Sequence, residues 1–338
     1  MKTPQFGKRF AYSLDFKFLG SSKRCGNMLG SKWSLKSVKH RFFWGQSVVQ
    51  VLLIILAAAN VGMAVLLAFA LVALIFVGIP HGGNDYFYRP DKTGWGSIRF
   101  LLYYLGSMAL YAGLWYALPL AALVIFLGIS MHHFGQSNFL SSRWTDPESL
   151  LWGGWLLVFP ILLHLPEAMG VFGRMMGYCG AGDWLGATVD QSVMVVVTGA
   201  FFGLYAWVLW RRKVEHRGQY LLQWGVVTLW YMVSPLILGF IVVFCLWHAG
   251  QSMRYQVIYI LQRHNKSLAR VLLEFMPLGF LALLGWGILW IGKTEDWALL
   301  LNSASISEAM PMGFVLLSLV TLPHVVVMDG IYRTESHR

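Results

Sequence analysis

Apolar runs long enough to cross a bilayer recur along almost the whole chain beyond residue 42, and no other feature narrows the fold so far. About twenty apolar residues, at ~1.5 Å rise each, match the ~30 Å hydrocarbon layer. Such runs fall at roughly 43–60, 62–80, 98–116, 118–138, 150–166, 192–210, 219–234, 236–256, 271–292 and 311–330. The expected fold is therefore all-α: a polytopic transmembrane helix bundle of about ten spans over 43–333. A single helix from Val48 to Pro80 would be about 50 Å long, so the chain should break near Asn60 and Gly62. Ser234–Pro235 should separate the seventh run from the eighth in the same way.

Composition and charge agree with a bilayer. With 57% hydrophobic and only 12% charged residues among 338, the chain has too few polar groups to wrap a soluble globule. The net charge of +11 does not point to nucleic acid, because the basic residues sit in tails and short loops between apolar runs. If both termini are cytoplasmic, all but two of the 26 Lys and Arg residues, Arg174 and Lys293, fall on the cytoplasmic side. That bias suits a multi-pass protein of the cell (inner) membrane. Residues 1–42 form a basic, Ser/Gly-rich stretch whose only acid is Asp15. Without the apolar core of a signal peptide, they read as a mobile cytoplasmic tail drawn to anionic lipid. Cys25, Cys179 and Cys245 lie far apart and suggest neither disulfides nor a thiolate metal site.

The histidines fall into two groups. His40, His164, His216, His264 and His337 lie in tails, loops or at a span end, where solvated or snorkelling side chains are ordinary. His81 in "GIPHGGND", His132 and His133 in "MHHFGQSNF", His248 in "CLWHAGQS" and His324 in "TLPHVVVMD" all occupy even-numbered spans, in the cytoplasmic half. Ionisable side chains at such depth face a bundle interior and find partners there. Similar depth on four helices implies convergence.

Four neutral imidazoles suit Fe(II), Zn, Cu or Ni, and leave open positions on a six-coordinate ion. Ligating rings usually give their second N–H to an oxygen acceptor. Asp85 four residues after His81, Gln136 three after His133 and Gln251 three after His248 share a helical face with their histidines; Asp329, five after His324, fits less well. Gly82, Gly83, Gly135 and Gly250 allow close approach of helices or of a flat substrate, and Pro80 and Pro323 can free backbone carbonyls. His133 fits the pattern better than His132, because "HFGQS" echoes "HAGQS" around His248; His132 points about 100° away and is expected to support the site from outside.

In their order on successive apolar segments, "GIPHGGND", "HHFGQS", "LWHAGQS" and "LPHVVVMD" resemble the Brp/Blh family of bacterial and archaeal β-carotene dioxygenases. The resemblance covers about residues 45–333. It implies an Fe(2+) centre held by histidines, and O2-dependent cleavage of the central double bond of β-carotene, or a related carotenoid, into retinal. Carried over by motif, the ligands are His81, His133 and His248, with His324 as an additional ligand. Two positions depart from the pattern. Ser252 stands where the family usually has a second histidine one turn after the first, and Asn138 stands where an acid usually closes the second motif. Ser252 thus joins the residues expected around the ligands.

The 16 Trp, 14 Tyr and 22 Phe would suit an aromatic-lined tunnel for a polyene, although interface anchoring and bundle packing account for most of them. Membrane lipids are expected neighbours, and the family association adds a rhodopsin as a partner. Other readings stay open. These are a non-cleaving carotenoid- or rhodopsin-associated relative, a haem-binding or metal-transporting bundle, and a di-iron hydroxylase, for which too few histidine boxes are present.

Overall fold

A computed structural model describes residues 35–336 apart from 61, 89–92, 140–142, 178–188 and, within 265–302, all but 267, 269–271, 273, 280 and 284. The basic stretch over 1–34 and most of the expected span at 271–292 lie outside the described residues. No strand occurs among those described, so the fold is all-helical.

The helices follow the apolar runs, and their ends follow local chemistry. Helix α1 (Leu35–Ala58) stops before Asn60, whose φ of 55° breaks the right-handed path, and α2 (Met63–Ala73) begins after Gly62. A π-turn at Leu74–Gly78 carries α2 into the short α3 (Ile79–Gly83) and a 3₁₀ turn, Asp85–Tyr88. Thr93 caps α4 (Gly94–Ala117), its hydroxyl accepting the Gly96 N–H at 3.1 Å. Proline opens both α5 (Pro119–Phe139) and α6 (Pro147–Leu163), where a missing N–H costs nothing. The chain continues through α7 (Leu165–Met175), α8 (Gln191–Arg211) and α9 (Arg217–Val233). Extended backbone at Ser234 and Pro235 produces the second expected break before α10 (Leu236–Val243). A second π-turn, Phe244–Ala249, joins α10 to α11 (Gly250–His264), and α12 (Ser303–Ser336) ends the described chain.

Five described segments are long and apolar enough to cross a membrane: Met63–Phe87, Pro119–Phe139, Gln191–Arg211, Leu236–Ile258 and Pro311–Tyr332. The pair α6–α7 makes a sixth if counted as one span, but it bends by 104° where a straight crossing over 150–166 was expected. His164 sits at that bend and its Nε2 lies 3.3 Å from the Tyr231 carbonyl oxygen, so it serves a helix break rather than snorkelling to the surface. The apolar part of α1, Phe42–Ala58, is shorter than these segments, and α9 has 17 residues.

Close packing of α5 on α6 sets the histidine-bearing end of the bundle. A Cβ on Gly135 would lie 2.0 Å from the Ser149 carbonyl oxygen, and one on Gly153 1.7 Å from that of Met131. Only glycine permits this approach, a familiar device where apolar helices lack a hydrophobic drive to associate. Gly135 therefore serves helix contact. Most of the aromatic wealth is also packing: Trp155 lies against Phe159, Phe201 and Trp224, and its Nε1 donates to Thr228 Oγ1 at 2.9 Å. Tyr231, equally buried, donates to the Leu156 carbonyl at 3.0 Å. In Trp155 and Tyr231 the one polar atom of a buried aromatic side chain thus finds a partner.

Candidate metal centre

Four helical segments bring His81, His133, His248 and His324 together. His81 stands on α3 just after the first π-turn, and His248 lies within the second. His133 is on the last turns of α5, and His324 follows Pro323 on α12. A π-turn inserts an extra residue into the helical ladder and so rotates every side chain beyond it, which is why such turns recur at functional sites. Both π-turns here aim a histidine inward.

The rings close a circuit. Centroid separations are 5.1 Å for His81–His248, 4.6 Å for His248–His133, 4.9 Å for His133–His324 and 5.0 Å for His324–His81. Neighbouring rings stand at 73–90° to one another, and all four residues are at most 4% exposed. One nitrogen from each of His81, His133 and His324 lies within 4.8 Å of the others, the separation expected of ligands on a single ion. His248 joins this trio through its ring contacts.

Every Nδ1 in the circuit is already engaged. That of His81 meets the Gly78 carbonyl oxygen, and that of His133 lies 3.5 Å from Gln136 Oε1. Ser137 Oγ is 3.1 Å from Nδ1 of His248, and Asp85 holds Nδ1 of His324 at 2.8 and 3.0 Å. By contrast, Nε2 of His133, His248 and His324 is buried without a hydrogen-bond partner among the described residues. A buried polar atom left unpaired costs about 1–3 kcal/mol, so three on adjoining rings mark places where a ligand would be favourable. Neutral imidazoles with Nδ1 held by an oxygen and Nε2 left unpartnered are the donor type of a metal site, and the residues present fit Fe(2+) or another borderline divalent ion.

The supporting residues expected from spacing hold different places. Gln136 does face His133, and its Nε2 also donates to Asp329 Oδ1 at 3.1 Å. Asp85 orients His324 rather than His81, and Tyr104 OH donates to its Oδ2 at 2.9 Å. Asp329 accordingly supports the His133 side through Gln136, not His324. Gln251 does not touch His248; its amide donates to Asn138 Oδ1 at 3.0 Å, beside a reciprocal pair between Asn138 and Gln223. Ser252 Oγ lies 3.9 Å from Met328 Sδ. His132 stacks on Trp144 with centroids 3.7 Å apart, and both its nitrogens lack a hydrogen-bond partner among the described residues. Gln136 faces the histidine of its own helix as its spacing implies, whereas Asp85 and Ser137 each face a histidine on another segment.

Several contributors had no sequence signal of their own. Tyr104, Gln223 and the Gly78 carbonyl reach the site from other turns or helices. Gln256 donates to the His81 carbonyl at 2.7 Å. Ser137 was visible within "HFGQS", yet only packing pairs it with the other copy's histidine.

Buried imidazoles gathered between apolar helices define a class: helical membrane-type proteins with a buried histidine cluster able to hold a metal ion. Within that class, the chain belongs to the beta-carotene 15,15'-dioxygenase family, whose description matches residues 72–332. It is 26% identical over 301 residues to the probable beta-carotene 15,15'-dioxygenase Blh of Halobacterium salinarum, covering 78% of this chain and 83% of that protein. It is also 25% identical over 282 residues to a beta-carotene 15,15'-dioxygenase from an uncultured marine bacterium, covering 80% and 95%. No solved structure matches the chain.

Proposed function

We propose that this protein is a membrane dioxygenase that cleaves the central double bond of β-carotene, or of a related carotenoid, with O2 to give retinal. One oxygen atom goes to each new aldehyde carbon, so alkene and O2 are fully accounted for by two carbonyl products. Family membership supports the reaction, and the closed circuit of four histidines is the observation that carries it to these residues.

His81, His133, His248 and His324 would hold Fe(2+) through Nε2, and the ion would supply the O2 chemistry that no protein side chain provides. The chain's own part is positioning. Asp85, Gln136, Ser137 and the Gly78 carbonyl keep each ring in one tautomer and one orientation. Tyr104 and Asp329 anchor two of those acceptors and do not act as acids. Ser252 cannot replace the histidine that its relatives' pattern places there, and His324 closes the circuit in its stead. The lipid-facing surface, with residues such as Leu110 and Tyr116 largely exposed, suits a substrate that arrives from the bilayer. In this reading the protein is a multi-pass protein of the cell membrane, crossing about ten times with both termini cytoplasmic, as the distribution of Lys and Arg favours.

Expression in a carotene-producing host tests the reading. Colour should fade as retinal appears, and His81→Ala or His248→Ala should restore the colour. Persistent colour with wild-type protein present in the membrane would overturn cleavage and leave a carotenoid-binding relative.

A further inference from the structure

We infer that helix α1, which lies outside the residues matching the family, positions His248 by clamping the π-turn that carries it, with Gln46 and Gln50 as the positioning residues. This rests on the metal-centre reading above.

A π-turn widens the helical ladder and leaves backbone groups without their regular partners, so it persists only where something outside the helix satisfies them. The two π-turns solve this differently. In the first, the Gly78 carbonyl is taken by the ring of His81 itself. In the second, Gln46 of α1 donates its side-chain amide to the Leu246 carbonyl, and Gln50 Oε1 accepts the Trp247 Nε1–H at 3.1 Å. Leu246 and Trp247 immediately precede His248. Both contacts therefore act on the two residues that set where its ring points.

The glutamines are four residues apart, one turn of α1, on the same face as Phe43, Ser47 and Leu53. That face is buried, whereas Val48, Leu52 and Ile55 on the other side are exposed as lipid-facing residues would be. Helix packing alone needs only apolar side chains there, as Leu53 shows. Two buried amides in an apolar environment are costly unless each makes a specific bond. Gln46 Oε1 and Gln50 Nε2, the other atoms of the two amides, have no hydrogen-bond partner among the described residues, so the bonds to Leu246 and Trp247 are the ones this pair makes. Phe43, 5.8 Å from the Trp247 ring, completes the contact.

The test uses the full-length protein in nanodiscs, with cobalt(II) as the metal probe. Gln50→Leu, Gln46→Leu and Trp247→Phe should each speed amide hydrogen exchange across residues 244–250 in metal-free protein, while exchange in α6 stays at the wild-type rate. Each should weaken cobalt(II) binding by roughly 10–100-fold and alter its visible spectrum. Gln50→Glu, which keeps an acceptor for Trp247, should restore the wild-type spectrum. Unchanged exchange at 244–250 and unchanged cobalt(II) affinity in all three variants, even with a lower melting temperature, would overturn the clamp. If wild-type protein binds no cobalt(II), the metal-centre reading falls, and the exchange measurement alone then decides whether α1 holds the turn.

Discussion

The stretches His133–Ser137 and His248–Ser252 share the pattern His-x-Gly-Gln-Ser, yet the bundle uses them differently at every position after the histidine. In the first, glycine meets a neighbouring backbone, glutamine faces its own histidine, and serine serves the histidine of the other stretch. In the second, the histidine lies in a π-turn, glutamine joins the Asn138–Gln223 amide pair, and serine sits beside Met328 sulfur. Identical letters carry the same hydrogen-bonding capacity, but the helix rotation and the neighbours decide what that capacity meets.

Replacing the histidines should erase the difference between the stretches. His133→Ala and His248→Ala are each expected to cut retinal formation by more than the roughly 10–100-fold typical of losing an outer partner of a metal ligand. Product assay at matched protein level checks this; near wild-type turnover in either variant would remove that residue from the centre. The glycines should separate the two stretches next. Gly135→Ala drives a methyl into a carbonyl 2.0 Å away and should cost about 3 kcal/mol of stability in micelles. Gly250→Ala meets the Cys245 carbonyl at 3.0 Å and the Gln46 amide only at 3.4 Å, and should cost about 1 kcal/mol. Equal losses would mean that α5 and α6 can part.

The serines offer a sharper contrast with a smaller effect. Ser137→Ala should weaken metal binding about 10-fold or more by freeing Nδ1 of His248, whereas Ser252→Ala should leave it unchanged. Titration with a divalent probe ion reads both, and the reverse order would reassign the partner of His248. Smallest is Gln251→Leu. It removes one of two donors to Asn138 Oδ1 and should lower stability by about 1 kcal/mol with no change in metal affinity.

Much of this was legible in the chain because hydropathy and helical period are local properties. Helix identity, the breaks at Asn60–Gly62 and Ser234–Pro235, and the convergence of four particular histidines all follow from residue order. The bend between α6 and α7 was not legible, since Pro160 and Pro166 permit a break without saying how far the chain turns. Nor were the π-turns, whose extra residue depends on partners contributed by other helices.

By itself, the sequence determined that this is a helical membrane-type protein and that its buried imidazoles would gather between helices, because an apolar run must close its own hydrogen bonds and an imidazole at depth must find company. Only the tertiary structure decided that Asp85 serves His324, that Ser137 serves His248 and that α1 reaches the second π-turn. Those pairings depend on how each helix is rotated against the next. Rotation is set by close approaches such as Gly135 on Ser149, which involve residues far apart along the helix surface and leave no periodic trace in the chain.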